Sequence, residues 1–598
     1  MTATSDSVVQ SSPCLQLKNL EQLHEAPADH HDKEMISIGN SVSTLVLRSS
    51  NNQLLVQGLK ELETGCIYLL QISPHYDLSV ESPGNGVRSF VKVVRAFLKQ
   101  LEQKSSRPGY ADNAKKQADI GKSVSLVNTL IQLLHLIEEK RVSVNSSAEQ
   151  SSVEIVNQSN WSIDEAISST LLSLDRESTT AFLSMKPFWL SPSLKLFDEL
   201  YSRLIALRVR PLYTFLSVLH PRKVVERNVD FTLNGSVNDL RNTWTFYGWS
   251  IMRPYVTAST LFKPKIRKMI QIPRQDMFHI AGNAIKFRGY PSTGARTGVN
   301  DSGSEKVSCL FLHDNKFGCS PSDSLLIHLH GGGHVTLKPK GHEIYLRRWA
   351  SRLRGVPILS VDYCLSPENR YPAALQEILD VYLFLNGIDF APAGNQAETD
   401  RQRESRMQGK CEEIISLIGF KPKNIIMCGD SAGSNLAIGL MHVLRYLNEL
   451  LLNNTNNNND RQSGESVKIP YPRSVCLQYP YMTPTVTRFA PSRLFMAFDP
   501  ILPLGALFSL SEAYHPQSKA RQEDLDGLEN GNGKKDPWYR KPICNQRLRE
   551  IQDANLGPFF NPLSGTFEDF RDIPLFIQVG EFDPLLDEAV SLAKKWKG

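Results

Sequence analysis

Residues 424–440 read Asn424-Ile425-Ile426-Met427-Cys428-Gly429-Asp430-Ser431-Ala432-Gly433-Ser434-Asn435-Leu436-Ala437-Ile438-Gly439-Leu440. The first five form an apolar run of strand length, and the apolar positions between 435 and 446 recur with helical spacing. Between the two lies Gly-x-Ser-x-Gly. In a strand, sharp turn and helix of this kind the serine occupies a strained position, and the small residues Gly429 and Gly433 let strand and helix approach without a side-chain clash. The reading predicts that the Ser431 hydroxyl stands at a helix N-terminus, where the helix dipole favours developing negative charge. Five residues are a short motif; its placement between a buried strand and a helix is what gives it meaning.

Working outward, residues 325–329 are a second apolar strand, followed directly by His330-Gly331-Gly332-Gly333. Consecutive glycines expose backbone. When an acyl carbonyl is attacked its oxygen becomes an anion, and an amide N–H held ready for it contributes about 2.7–4 kcal/mol. Gly332, Gly333 and Ala432 are the expected donors, with His330 and Gly331 bracing the loop and Asp430 supporting the turn; a merely flexible glycine turn is the bland alternative. A third strand at 357–361 and helical segments between the strands predict a mainly parallel sheet covered on both faces, with its site at the carboxyl ends of the strands.

The 598 residues are too many for one ordinary core and favour two folded units. With 41% apolar and 22% charged residues the composition is globular. A net charge of +5, from 67 basic and 62 acidic side chains, is too small and dispersed for a nucleic-acid surface. Nine cysteines without CxxC spacing point to reduced thiols and no zinc site, hence to the cytoplasm. The acidic first thirty residues argue against a secretory signal, and no run approaches the roughly 18–20 apolar residues that span a bilayer. Residues 1–300 are expected to form a mostly α-helical domain, from the periodicity at 87–101, 124–137 and 191–207, with a linker at 291–306. Residues 307–598 form the second domain, interrupted by solvated insertions at 452–466 and 517–550.

His330-Gly331-Gly332-Gly333, Tyr363-Cys364-Leu365-Ser366-Pro367-Glu368 and Gly429-Asp430-Ser431-Ala432-Gly433, in this order, resemble the hormone-sensitive lipase group of α/β-hydrolases. Asn85-Gly86-Val87-Arg88-Ser89 resembles the helical N-terminal domain of that group's lipases, as do Pro491-Ser492-Arg493-Leu494 and Asp499-Pro500-Ile501-Leu502-Pro503-Leu504 their later segments. The resemblance implies an α/β-hydrolase fold and a serine ester hydrolase that works through an acyl-enzyme on Ser431. Its implied substrates are acylglycerols and cholesteryl or retinyl esters, and it implies no metal or cofactor. Peripheral contact with lipid droplets or membranes, and protein partners for the N-terminal domain, follow in the same way. In Gln578-Val579-Gly580-Glu581-Phe582-Asp583-Pro584-Leu585-Leu586-Asp587-Glu588 the family pattern makes Asp583 the triad acid, with Asp587 capping or supporting the next helix. It also implies a regulatory segment between Ser431 and Asp583, where Ser463 and Ser518 are weak phosphorylation contexts.

The family's chain order requires a histidine after Asp583, but only 15 residues follow it and none is histidine. A helix of about 11 residues and a strand of about 5 precede that histidine, so the chain is expected to stop short of it with its sheet incomplete at the C-terminal side. His442, eleven positions along the helix from Ser431, is expected roughly 16 Å away. His334 and His342 lie near the glycine loop, with no feature aiming either at Ser431. The alternative reading is a catalytically dead, truncated ester-binding or regulatory protein.

Overall fold

The computed structural model describes residues 28–110, 113–147, 166–184 apart from 168 and 172, 233, 237–244, 264–274, 278–280, 283–285, 306–314, 323–388, 400–457, 468–484, 490–499, 502–515 and 557–598. The strands are β1 (Ile266–Pro273), β2 (Phe278–Ile280), β3 (Asn283–Ile285), β4 (Lys306–His313), β5 (Ser324–Leu329), β6 (Ile358–Val361), β7 (Asn424–Asp430), β8 (Ser474–Gln478) and β9 (Leu575–Gln578). Seven of them form one sheet in the order β1-β4-β6-β5-β7-β8-β9, and β2 and β3 pair separately. β1, β4 and β6 are joined antiparallel, and every neighbour pair from β6 to β9 is parallel.

The helices are α1 (Ala28–Arg48), α2 (Gln53–Ile72), α3 (Gly86–Ser105), α4 (Ala114–Ser147), α5 (Arg176–Ser184), α6 (Val237–Trp244), α7 (Pro339–Arg352), α8 (Ala373–Leu385), α9 (Asp400–Ile418), α10 (Ala432–Asn457), α11 (Leu504–Tyr514) and α12 (Leu586–Lys597). The pleat of the strands decides which helices cover which face, because successive side chains point to opposite sides. Cys309, Phe311, Leu325, Ile327, Leu329, Leu359, Val361 and Met427 enter a core shared with α8, α10 and α12. Their neighbours Leu310, Leu312, Leu326, Ile358 and Cys428 enter a second core under α7. Burial on both faces is why the central strands are continuously apolar.

In the first half, Asn52 and Asn85 cap α2 and α3 by accepting the Leu55 and Arg88 amides at 3.1 and 3.0 Å. The buried stripe of α3, Val87, Phe90, Val94, Phe97 and Leu101, has helical spacing. It does not close a core of its own. Leu494, Phe495, Phe498, Leu507 and Leu585, from the second half, belong to the same cluster, with Phe90 stacked on Phe495 at 6.4 Å and Phe182 beside Phe498 at 5.6 Å. Each fully buried Leu or Phe contributes roughly 2 kcal/mol.

Polar contacts reinforce this junction. The Asp587 carboxylate accepts the Gly86 amide at 2.8 Å and the Ser492 amide at 2.7 Å. Asp587 thus lies in the first turn of α12 but serves the start of α3 and residue 492 rather than capping its own helix. Next to it, Glu588 accepts Arg493 Nε at 2.6 Å and the Met482 and Thr483 amides at 2.5 and 2.9 Å, with Arg493 wholly buried.

Several sequence expectations change. The sheet takes its first strand from residues 266–273, on the N-terminal side of the expected linker, because β1 is a half-exposed edge strand whose Arg267 and Lys268 hide it from an apolar-run reading. β8 and most of β4 went unread, and the strand expected at 357–361 lies at Ile358–Val361. By length and composition alone Ala114–Ser143 is long and apolar enough to cross a bilayer, but 56% of its apolar window is buried inside the protein. Ser123, Ser125 and Asn128 interrupt its apolar positions, and charged residues flank them at 115–122 and 138–141. The segment 191–207, the contexts of Ser463 and Ser518, and the insertion 517–550 lie outside the described residues; α10 continues through 452–457 of the other insertion.

Breaking the buried Arg493–Glu588 pair from either side leaves a charge alone in the core. Arg493→Met and Glu588→Gln should each lower stability by about 3–5 kcal/mol, and the double change should lose less than the two single losses combined. Calorimetry checks this; additive losses, or separate melting of the helical region, would contradict a shared core.

Candidate active site

Ser431 follows the last residue of β7 with φ +52°, a left-handed conformation that costs a non-glycine residue roughly 1 kcal/mol or more. The surroundings hold it there. Its amide donates to Gln478 O at 3.0 Å, and its carbonyl accepts the Ser434 and Tyr481 amides at 3.0 and 3.2 Å. The crossing of α10 over β5 requires glycine, since a Cβ on Gly433 would lie 2.0 Å from Leu329 O. Asp430 and Ala432 are buried while Ser431 is half-buried, and among the described residues its hydroxyl has no hydrogen-bond partner.

The glycine loop lies against this turn: a Cβ on Gly331 would stand 3.1 Å from Ser431 Cβ. Gly332 and Gly333 have φ +115° and +61°, and His334 continues the left-handed run at +62°. The Gly332 carbonyl accepts the Val335 and Thr336 amides, both at 3.1 Å, which closes the loop on itself. Among the described residues the N–H groups of Gly332, Gly333 and Ala432 have no partner. Leu510 of α11 packs onto Gly333 from above, and α6 packs on α11 in one apolar cluster.

Asp430 does far more than occupy a motif position. Its Oδ2 accepts the Gly331 amide at 3.0 Å and His342 Nε2 at 3.2 Å; its Oδ1 accepts Tyr345 OH and His328 Nε2, each at 3.2 Å. Burial works against its charge, but the His342 charge and the bonds from His328 and His342 hold the carboxyl well below the usual carboxylate range. His330 stacks on Tyr363 at 4.1 Å and turns Nδ1 to Gly331 O at 2.8 Å; burial holds it neutral, near pKa 3. Its contacts thus tie the glycine loop to Tyr363.

Asp583 sits five residues beyond β9, with β8 between β9 and β7. Two strand spacings separate the ends of β7 and β9, roughly 10 Å. Its Oδ1 accepts the Leu585 amide at 2.8 Å, and no cation or imidazole faces it among the described residues. Burial, joined by the Asp499 and Glu588 charges, pushes it up to about 6. Among the described residues no histidine is bonded to Ser431 or Asp583, and both ring nitrogens of His334 are buried without a partner. His334 stacks on Tyr514 at 3.7 Å, and His442 faces Pro562 O at 3.1 Å among Phe567 and Phe570.

Sequence reading missed His328, Tyr345 and Arg241, and weighed His342 only as a base for Ser431. Arg241, on α6, donates Nε to Val335 O at 2.8 Å and Nη2 to Ser366 O at 2.7 Å, and grips Glu368 with both ends of its fork at 2.9 and 2.7 Å. The signal for the histidines was the density of His and Tyr at 328–345, each otherwise explicable alone.

Residues 326–598 match a family model described as the alpha/beta hydrolase fold, and residues 16–117 one described as hormone-sensitive lipase (HSL) N-terminus. Hormone-sensitive lipase of Mus musculus is 31% identical over 193 residues, covering 32% of this chain and 19% of that protein. An esterase of Acinetobacter venetianus is 27% identical over 271 residues, 45% of this chain and 60% of its own. A hyperthermophilic esterase from the archaeon Pyrobaculum calidifontis aligns at 19% identity and a TM-score of 0.37, over 68% of this chain and 83% of that one. The matched stretches span about a fifth of the lipases' length. A hydrolase-fold match joined on one chain to a match for that N-terminus means that this protein belongs to the hormone-sensitive lipase group of α/β-hydrolases.

Proposed function

We propose that the protein is a carboxylic ester hydrolase in which Ser431 is the nucleophile, the Gly332, Gly333 and Ala432 amides receive the oxyanion, and Asp583 is the acid that orients the base. The observation carrying this is a Ser431 hydroxyl that, among the described residues, is free in a left-handed turn beside the unoccupied Gly332 and Gly333 N–H groups. Attack of Ser431 Oγ on an ester carbonyl moves negative charge onto the carbonyl oxygen, and collapse expels the alcohol and leaves an acyl-serine that water hydrolyses. The substrates are neutral-lipid esters, acylglycerols and cholesteryl or retinyl esters, met at a lipid-droplet or membrane surface from the cytoplasm. Support for that class is the likeness to proteins named hormone-sensitive lipase. The helical region takes protein partners.

One observation favours a second reading. Among the described residues no histidine is bonded to Ser431. In that arrangement the protein binds esters and turns them over slowly, since losing a triad base costs about 10⁴–10⁶ in rate.

A fluorophosphonate probe, with imidazole added as an external base, should label the protein at Ser431. Ser431→Ala should lower labelling at least about a hundredfold. Equal labelling of the two proteins would remove Ser431 from its role.

Asp583 gives a pH test. Its folded value of about 6 exceeds the ordinary 3.8, so the folded state binds the proton more tightly, and stability falls as pH rises through that window. Asp583→Asn removes the charge. The variant's gain in melting temperature should therefore be larger at pH 8 than at pH 3.5, and an equal gain at both would show that the carboxyl is not held in this way.

A further inference from the structure

Three imidazoles, His328, His330 and His342, surround the single carboxylate of Asp430, and their bonds distinguish them. His342, on α7, points Nε2 at Asp430 Oδ2 and Nδ1 at the Lys338 carbonyl, both at 3.2 Å. A carboxylate and a carbonyl only accept, so both contacts are hydrogen bonds when both ring nitrogens carry protons, which is the imidazolium form. His328 differs: its Nε2 lies 3.0 Å from Tyr345 OH and 3.2 Å from Asp430 Oδ1, but its Nδ1 faces Ser360 Oγ at 2.8 Å, a hydroxyl that can donate to it, so one proton on Nε2 satisfies a neutral ring. His330 has one unpartnered buried nitrogen.

We propose that His342 is a positioning residue for the oxyanion loop: its imidazolium neutralises and fixes the buried Asp430 carboxylate, and that carboxylate holds the Gly331 amide, and with it Gly332 and Gly333, against Ser431.

The groups facing His342 support one charge at this place. His328 comes from β5, His330 from the loop, Tyr345 from the same helix, and Tyr479 from beyond β8, with its hydroxyl 3.5 Å from Asp430. Glu343, the other acid nearby, is turned away and paired with Arg267 and Arg347. Burial disfavours the His342 charge, yet the Asp430 carboxylate, the hydrogen bond to it and the Lys338 carbonyl together raise its pKa above the ordinary value. The same charge helps to keep His330 neutral. Asp430 without His342 is a buried anion beside the developing oxyanion, which opposes the reaction. With His342 charged the pair is neutral overall, and the amide hook on Gly331 remains.

The inference deepens the hydrolase reading and rests on it for one of its two tests. In the first, independent of Ser431, histidine-selective ¹⁵N NMR of the full chain should show His342 doubly protonated at pH 7, and neutral there in Asp430→Asn. A neutral His342 at pH 7 in the parent overturns the proposal, whatever Ser431 does. In the second, fluorophosphonate labelling with imidazole present compares His342→Gln and His342→Phe with the parent. Gln keeps a donor toward Asp430 without the charge. Both variants should label about ten- to a hundredfold more slowly, and Asp430→Asn combined with His342→Gln should be less impaired than the two single losses combined. The parent's rate should fall as pH rises through the raised His342 value, a limb absent from His342→Gln. A merely structural histidine would leave the pH profile unchanged, and that result, with folded variants, also overturns the proposal. If Ser431→Ala labels like the parent, the hydrolase reading fails while the NMR result still decides the charge of His342.

Discussion

The approach of α10 to β5 at Gly433 fixes the geometry of everything around Ser431. With no side chain there, the helix begins against the Leu329 carbonyl, and the only way from β7 into that helix is a left-handed residue at 431. The carbonyl it crosses belongs to the strand that runs into the glycine loop. One contact therefore sets both the serine and the amides opposite it, and the Asp430 carboxylate ties the two together through Gly331. Strain at Ser431 persists because three backbone hydrogen bonds and a rigid strand–helix pair over-determine it.

The helical region is not an appendage to this arrangement. Its α3 starts on the Asp587 carboxylate, four residues after Asp583, and its aromatic face shares a core with Phe495 and Phe498. The acid-bearing loop is thus held between two bodies of structure. Buried charges make such a junction specific: Arg493 and Glu588 are stable only when each finds the other together with the Thr483 and Met482 backbone.

Much of this was legible in the sequence where physics acts locally. β5 and β7 announce themselves because burial on both faces demands unbroken apolar runs, and the turn at 429–433 because only glycine fits its two contacts. β1 was not legible, since an edge strand keeps Arg267 and Lys268 in solvent and looks like a polar connection. The Asp430 hub was not legible either, because its partners arrive from 88 and 99 positions away and no local rule links a carboxylate to a distant imidazole. Asp583 was identified by family pattern; its unpaired, half-buried state became visible only with the fold.

Arg241 binds a carbonyl two residues past Gly333 and, through Ser366 and Glu368, the segment behind it. The guanidinium fork is planar and rigid, so its bonds fix one orientation of α6 against both segments. A single side chain of the helical half thereby splices the backbone that leaves the glycine loop to residues 366 and 368.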